Sequence, residues 1–121
     1  MHIECLDHVQ LAMPEGGEAL ARSFYQDVLE IPEVPKPTDL AARGGCWFER
    51  GSLKVHLGVE AEYRPARKAH PGFLVSGFAE LCERLRGAGY EVRPEAVTSG
   101  PARAFVDDPF GNRIEIIDAG G

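Results

Sequence analysis

One order of elements is written twice along this chain, and few folds can satisfy it both times. Leu6 to Met13 alternates as a strand does, with Val9, Leu11 and Met13 on one face and His8, Gln10 and Ala12 on the other. Pro14-Glu15-Gly16-Gly17 breaks the strand. Glu18 to Leu29 then predicts a helix, because Leu20, Phe24 and Val28 recur at i, i+4 and i+8 beside Ala21 and Tyr25. Ile31 to Ala42, with Pro32, Pro35 and Pro37, reads as a strand fragment and an irregular loop. Cys46 to Arg50 and Leu53 to Val59 form a hairpin joined at Gly51-Ser52. In its second strand Leu53, Val55, Leu57 and Val59 face one way, and Lys54, His56 and Gly58 the other.

After a polar, basic linker the plan starts again. His70 to Val75 predicts a strand, and Phe78 to Gly87 a helix with Leu81 and Leu85 on one stripe and Gly87 and Gly89 near its end. Tyr90-Glu91-Val92 reads as a short strand, followed by a loop with Pro94, Gly100 and Pro101. Arg103 to Asp107 and Arg113 to Ile117 make the last hairpin. The chain divides into module 1 at about 1–60, a linker at 61–69 and module 2 at about 70–118.

Chemistry-bearing residues recur in register. His8 opens the first module and His70 the second, while His56 lies on the last strand of the first and Glu115 on the last strand of the second. The stretch from Asp107 to Ile117 makes Glu115 conspicuous. Pro109 fixes φ for a turn, Gly111 and Asn112 tolerate positive φ, and the strand that follows sets Glu115 between Ile114 and Ile116. A carboxylate on a rigid strand needs a partner: a metal, a ligand, or an arginine such as Arg113 on its own face or Arg103 across the hairpin. If the two sheets curl towards each other, the four marked residues line one hollow.

Composition narrows the function classes. The net charge of −6 argues against a general nucleic-acid binder, whose phosphate contacts need surplus Lys and Arg. No apolar run approaches bilayer-spanning length, and the N-terminus lacks the charged-then-apolar pattern of a signal peptide, so a cytoplasmic protein is expected. Cys5, Cys46 and Cys82 are odd in number and widely spaced, which fits neither a disulfide framework nor a zinc knuckle. Reduced cysteines are expected, with Cys82 packing beside Leu81 and Leu85.

Leu6-Asp7-His8-Val9-Gln10-Leu11, Phe24-Tyr25, His70-Pro71-Gly72-Phe73-Leu74-Val75 and Asp108-Pro109-Phe110-Gly111-Asn112-Arg113-Ile114-Glu115 occur in an order and spacing that resembles the vicinal oxygen chelate superfamily, also described as glyoxalase/bleomycin resistance/dioxygenase proteins. The resemblance covers nearly the whole chain. It implies an α+β fold in which two βαβββ modules form a cupped, barrel-like mixed sheet with helices on the outside. It implies one divalent metal ion held by His8, His56, His70 and Glu115, and a homodimer in which His8 and His56 of one chain share a site with His70 and Glu115 of the other. In glyoxalase I-like members the position matching His56 is usually Glu, and in related epimerases often Gln. A histidine there is a good ligand but removes a carboxylate that could accept a proton. His8, His70 and Glu115 also resemble the two-histidine, one-carboxylate set of extradiol dioxygenases.

Three imidazoles and a carboxylate, with no thiolate, suit Zn, Ni, Fe, Co or Mn alike. The implied function is a metal-dependent lyase or isomerase acting on a small substrate chelated through vicinal oxygens, with Glu115 or a metal-bound hydroxide carrying the proton. Arg64, Arg67 and Lys68 are candidates to grip an anionic tail, and Trp47, Phe48 and Phe105 to border the hollow. The same basic run also reads as a solvated linker, and the aromatics as core. Competing functions are a non-catalytic drug-binding protein of the bleomycin resistance type, a metal-dependent transferase resembling the fosfomycin enzymes, and a ring-cleaving dioxygenase. The fold alone does not choose among them.

Overall fold

Each half of the chain builds a four-stranded sheet by the same rule: its first strand runs parallel to its last, and a hairpin supplies the remaining neighbours. The computed structural model describes residues 1–96 and 99–120. Two compact units are resolved, Met1–Arg64 and Pro65–Gly121. The first contains β1 (Val9–Met13), α1 (Glu18–Ala21, continuing as a wider π-helical coil over Arg22–Val28), β2 (Glu33–Val34), α2 (Thr38–Ala41), β3 (Cys46–Arg50) and β4 (Leu53–Val59), with sheet order β1-β4-β3-β2. The second contains β5 (Gly72–Val75), α3 (Phe78–Gly87), β6 (Arg93–Pro94), β7 (Arg103–Asp107) and β8 (Arg113–Asp118), with order β5-β8-β7-β6. These are two βαβββ modules of an α+β fold.

The register repeats as closely as the order. In the first unit Gln10 pairs with His56 on the parallel side and Trp47 pairs with His56 on the antiparallel side. In the second, Gly72 and Phe105 stand in the same relation to Glu115. His8 precedes Gln10 by two residues, and His70 precedes Gly72 by two. Side chains two apart on an extended chain face the same way, so each histidine is aimed at the marked residue on the last strand. Both lie just outside their strands, which begin at Val9 and Gly72 rather than at the expected Leu6 and His70.

Alternation decides which face is buried. In the first unit Met13, Phe48, Val55 and Leu57 are almost fully enclosed with Phe24 and Tyr25, and Tyr25 stacks on Phe48 with ring centroids 5.3 Å apart. In the second, Ala104, Val106, Ile114 and Ile116 are covered with Leu85 and Cys82. Each large aliphatic side chain so enclosed contributes about 1.5–3 kcal/mol relative to exposure.

Three local expectations are corrected. The helix expected over Glu18–Leu29 is only partly regular: the Leu29 N–H donates to the Phe24 carbonyl, five residues back, at 2.9 Å. The wider coil turns Ala21, Phe24 and Tyr25 inward and leaves Leu20 exposed, so the Leu20-Phe24-Val28 stripe is not the buried one. The short strand expected at Tyr90-Glu91-Val92 forms instead at Arg93–Pro94, because Tyr90 N–H is spent on the Leu85 carbonyl that ends α3. At the final turn only Gly111 takes positive φ (86°); Asn112 does not. Its amide instead donates to the buried Asp108, whose Oδ1 also accepts the backbone N–H groups of Phe110 and Asn112. Of the loop expected after Val92, residues 97–98 lie outside the described residues. No helix among the described residues is long and apolar enough to cross a membrane.

Candidate metal and substrate site

In the second unit, the Glu115 amide donates to the Pro71 carbonyl at 3.0 Å, which ties the segment carrying His70 to the middle of β8. His70 Nε2 then lies 3.0 Å from Glu115 Oε1. His70 Nδ1 lies 2.7 Å from the Lys68 carbonyl oxygen. A carbonyl and a carboxylate only accept, so both ring nitrogens carry protons in this arrangement and the ring is an imidazolium. The Lys68 carbonyl bond, with the Glu115 bond behind it, raises the His70 pKa above its ordinary value. The hydrogen bond from His70, reinforced by Arg103, holds the Glu115 carboxyl below its ordinary range.

Arg103 completes the group. Its Nη1 donates to Glu115 Oε2 at 2.8 Å, while its Nε, also buried, has no hydrogen-bond partner among the described residues. Phe105, the cross-strand neighbour of Glu115, meets the His70 ring edge-on at 5.2 Å, and the Arg113 guanidinium lies over the Phe105 ring at 5.5 Å.

The first unit carries a different assembly at the same positions. His56, 5 % exposed, stacks face to face on Trp47 (centroids 4.0 Å apart, planes 3° apart) and on the other side against His8 (4.5 Å, 22°). His56 Nε2 is 2.8 Å from Glu49 Oε2. His8 Nδ1 is 2.9 Å from Asp7 Oδ2, and Lys54 Nζ approaches the other Asp7 oxygen at 3.5 Å.

The expected residues thus fall into two pairs, His8 with His56 and His70 with Glu115, one in each unit. Among the described residues no group of three or more His, Cys, Asp or Glu side chains is gathered closely enough to hold a metal ion. Each pair nonetheless fits such an ion chemically. Imidazole and carboxylate are metal-ligating groups, and in the second unit His70 Nε2 and Glu115 Oε1 already lie side by side. His70 Nδ1 also lies against a backbone carbonyl, as the second nitrogen of a metal-bound histidine commonly does.

Among the expected substrate contacts, Trp47 and Phe105 each lie against a candidate ligand, whereas Phe48 is core. Arg64, Arg67 and Lys68 are exposed, and Lys68 reaches the candidate site through its carbonyl. Glu49 was not among the expected site residues. Its signal was present: it follows Trp47 by two residues on a strand, and so shares the face of Trp47 and His56. Cys5, Cys46 and Cys82 are free thiols, and burial pushes Cys46 up to about 11.

A glyoxalase family protein from Bacillus anthracis superposes with a TM-score of 0.92 at 43% identity, covering 98% of this chain and 97% of that one. A genomically encoded fosfomycin resistance protein from Listeria monocytogenes shares the fold (TM-score 0.77, 98% and 96% coverage) at 15% identity. A lactoylglutathione lyase from Salmonella typhimurium is 38% identical over 73 residues, 55% of this chain, and the match spans about half (52%) of that relative's length. The family model for the Glyoxalase/Bleomycin resistance protein/Dioxygenase superfamily matches residues 6–116, and the chain belongs to that superfamily.

Proposed function

We propose that this chain is a divalent-metal-dependent, glyoxalase-like lyase or isomerase acting on a small substrate that chelates through two adjacent oxygens, with His8, His56, His70 and Glu115 as metal donors. The observation that carries the reading is the His70–Glu115 pair, an imidazole nitrogen and a carboxylate oxygen 3.0 Å apart, with the histidine's other nitrogen on the Lys68 carbonyl. A bound divalent ion would supply Lewis acidity to a substrate carbonyl. Arg103 keeps Glu115 Oε2 occupied, so that Oε1 is the oxygen presented beside His70. Glu115 is the proposed proton carrier; its neighbours hold it ionised, which leaves it free to accept a proton but also makes it a weaker base than an ordinary carboxylate. Trp47 and Phe105 offer aromatic faces next to the donors, and Arg64, Arg67 and Lys68 remain candidates to bind an anionic tail. Zn, Ni, Fe, Co and Mn all suit the donor set. A homodimer and a cytoplasmic location belong to the same proposal.

The test is elemental analysis of protein purified without a histidine tag, together with an assay for lactoylglutathione lyase activity on metal-loaded protein. One ion per chain, lost in His70→Ala, supports the reading. No metal after reconstitution defeats it.

A second reading, a non-catalytic ligand-binding protein of the resistance type, is favoured by one observation. Glu115 already has two cationic partners, His70 and Arg103, and needs no metal to balance its charge. Under that reading His70→Ala leaves ligand binding in the absence of metal unchanged.

A further inference from the structure

We propose that Glu49 is the positioning residue for His56: its carboxylate sets the in-plane orientation of the imidazole, so that Nε2 carries the proton and Nδ1 is the nitrogen offered to a metal ion. The metal half of this statement rests on the reading of His56 as a donor; the ring orientation does not.

Two constraints act on the His56 ring, and they are different in kind. Trp47 and His8 lie on its two faces at 4.0 Å and 4.5 Å, close to parallel, and so restrict the plane in which the ring lies. Stacking says little about rotation within that plane or about a half-turn of the ring. The contact of Nε2 with Glu49 Oε2 at 2.8 Å supplies what stacking leaves open. A carboxylate accepts and cannot donate, so Nε2 carries a proton, and in the neutral ring the lone pair is then on Nδ1. The ring is buried, so an N–H left unsatisfied there is costly, which favours this orientation over the flipped one.

The cross-strand pairing makes the contact more specific. Glu49 stands directly opposite Lys54, the cation a strand carboxylate would ordinarily take. Lys54 Nζ is instead directed to Asp7, and the Glu49 carboxylate runs diagonally to His56. A ligand histidine commonly gives its second N–H to a carboxylate, and loss of such a partner typically weakens metal binding about 10–100-fold.

The experiment uses wild-type protein, Glu49→Gln and Glu49→Ala. In metal-free protein, nitrogen-15 NMR of the imidazole is expected to show one tautomer for His56, protonated at Nε2. Glu49→Gln keeps it through the amide oxygen, and Glu49→Ala loses it. Zn²⁺ titration, followed by calorimetry and by the fluorescence of Trp47, the sole tryptophan, is expected to give about 10–100-fold weaker binding in Glu49→Ala and near-wild-type binding in Glu49→Gln. An unchanged tautomer and affinity in Glu49→Ala overturns the proposal. So does a Glu49→Gln variant that keeps the tautomer but binds as weakly as Glu49→Ala, since Glu49 would then contact the ion itself. Wild-type protein that binds no Zn²⁺ refutes the metal assignment for His56, while the metal-free spectra still decide whether Glu49 holds the ring.

Discussion

At the centre of β4 stands an imidazole between aromatic faces; at the centre of β8, in the same register, stands a carboxylate among charges. The two sheets have the same strand order, the same parallel pairing and the same aromatic cross-strand neighbour, Trp47 in one and Phe105 in the other. What differs is the residue two places before that aromatic. In the second unit it is Arg103, which reaches Glu115. In the first it is Gly45, at φ 86°, where a Cβ would fall 2.2 Å from the Leu57 carbonyl oxygen. No side chain fits there, so the first unit cannot carry the arginine that the second uses. Its central residue is an imidazole oriented by stacking and by Glu49 instead. A repeated backbone thus presents two kinds of polar side chain, one held mainly by packing and one by ion pairing.

That contrast can be broken experimentally, and the largest effect is expected at the proposed metal donors. His70→Ala and His8→Ala should each lower metal affinity by more than about 100-fold with the fold retained, read by elemental analysis alongside circular dichroism. If either variant kept full stoichiometry, its unit would not supply a ligand and the pairs would not be equivalent.

Next in size is Gly45→Ala, which forces a methyl group against the Leu57 carbonyl at a backbone angle that L-residues avoid. Stability should fall by about 2–4 kcal/mol, read by chemical denaturation. A neutral result would mean the close approach is not what excludes a side chain from this position.

Arg103→Ala tests the ionic half. Stability should drop by about 1 kcal/mol and the Glu115 pKa should rise, yet stay below the ordinary value because the His70 hydrogen bond is the larger cause. NMR titration of the Glu115 carboxyl in metal-free protein checks the order of the two partners.

The smallest effect is a pH window. The Glu115 contribution to stability is present above its unfolded pKa and lost as pH falls through the lowered folded value; the His70 contribution is present below its unfolded pKa and lost as pH rises through the raised folded value. Metal-free protein should therefore lose stability on both the acid and the alkaline side, and His70→Ala should remove the alkaline loss. Metal binding at this pair would displace the Nε2 proton, so affinity should rise with pH up to the His70 pKa.

Much of this could be read along the chain. Period-two alternation located β4 and β8, because a half-buried strand must place apolar residues on every second position; β3 and β7 were located as their hairpin partners, and the Gly51-Ser52 turn set the register between β3 and β4. The repeat then identified His8, His56, His70 and Glu115 as matched positions, two of which the structure pairs at 3.0 Å and two of which it stacks at 4.5 Å. The wide coil after Ala21 was not legible, since Leu20, Phe24 and Val28 suit a regular helix and only tertiary packing, as of Tyr25 on Phe48 of β3, selects Ala21, Phe24 and Tyr25 for burial.

The pattern of residue types determined by itself which positions face each sheet's polar side, since alternation is a property of the extended backbone. Only the tertiary structure decided which partners those positions take. Glu49 chose His56 over Lys54, Arg103 rather than Arg113 reached Glu115, and Lys68 contributed its carbonyl rather than its ammonium. Such choices turn on differences of an ångström or two in where side chains end, set by sheet register and by neighbours distant in sequence.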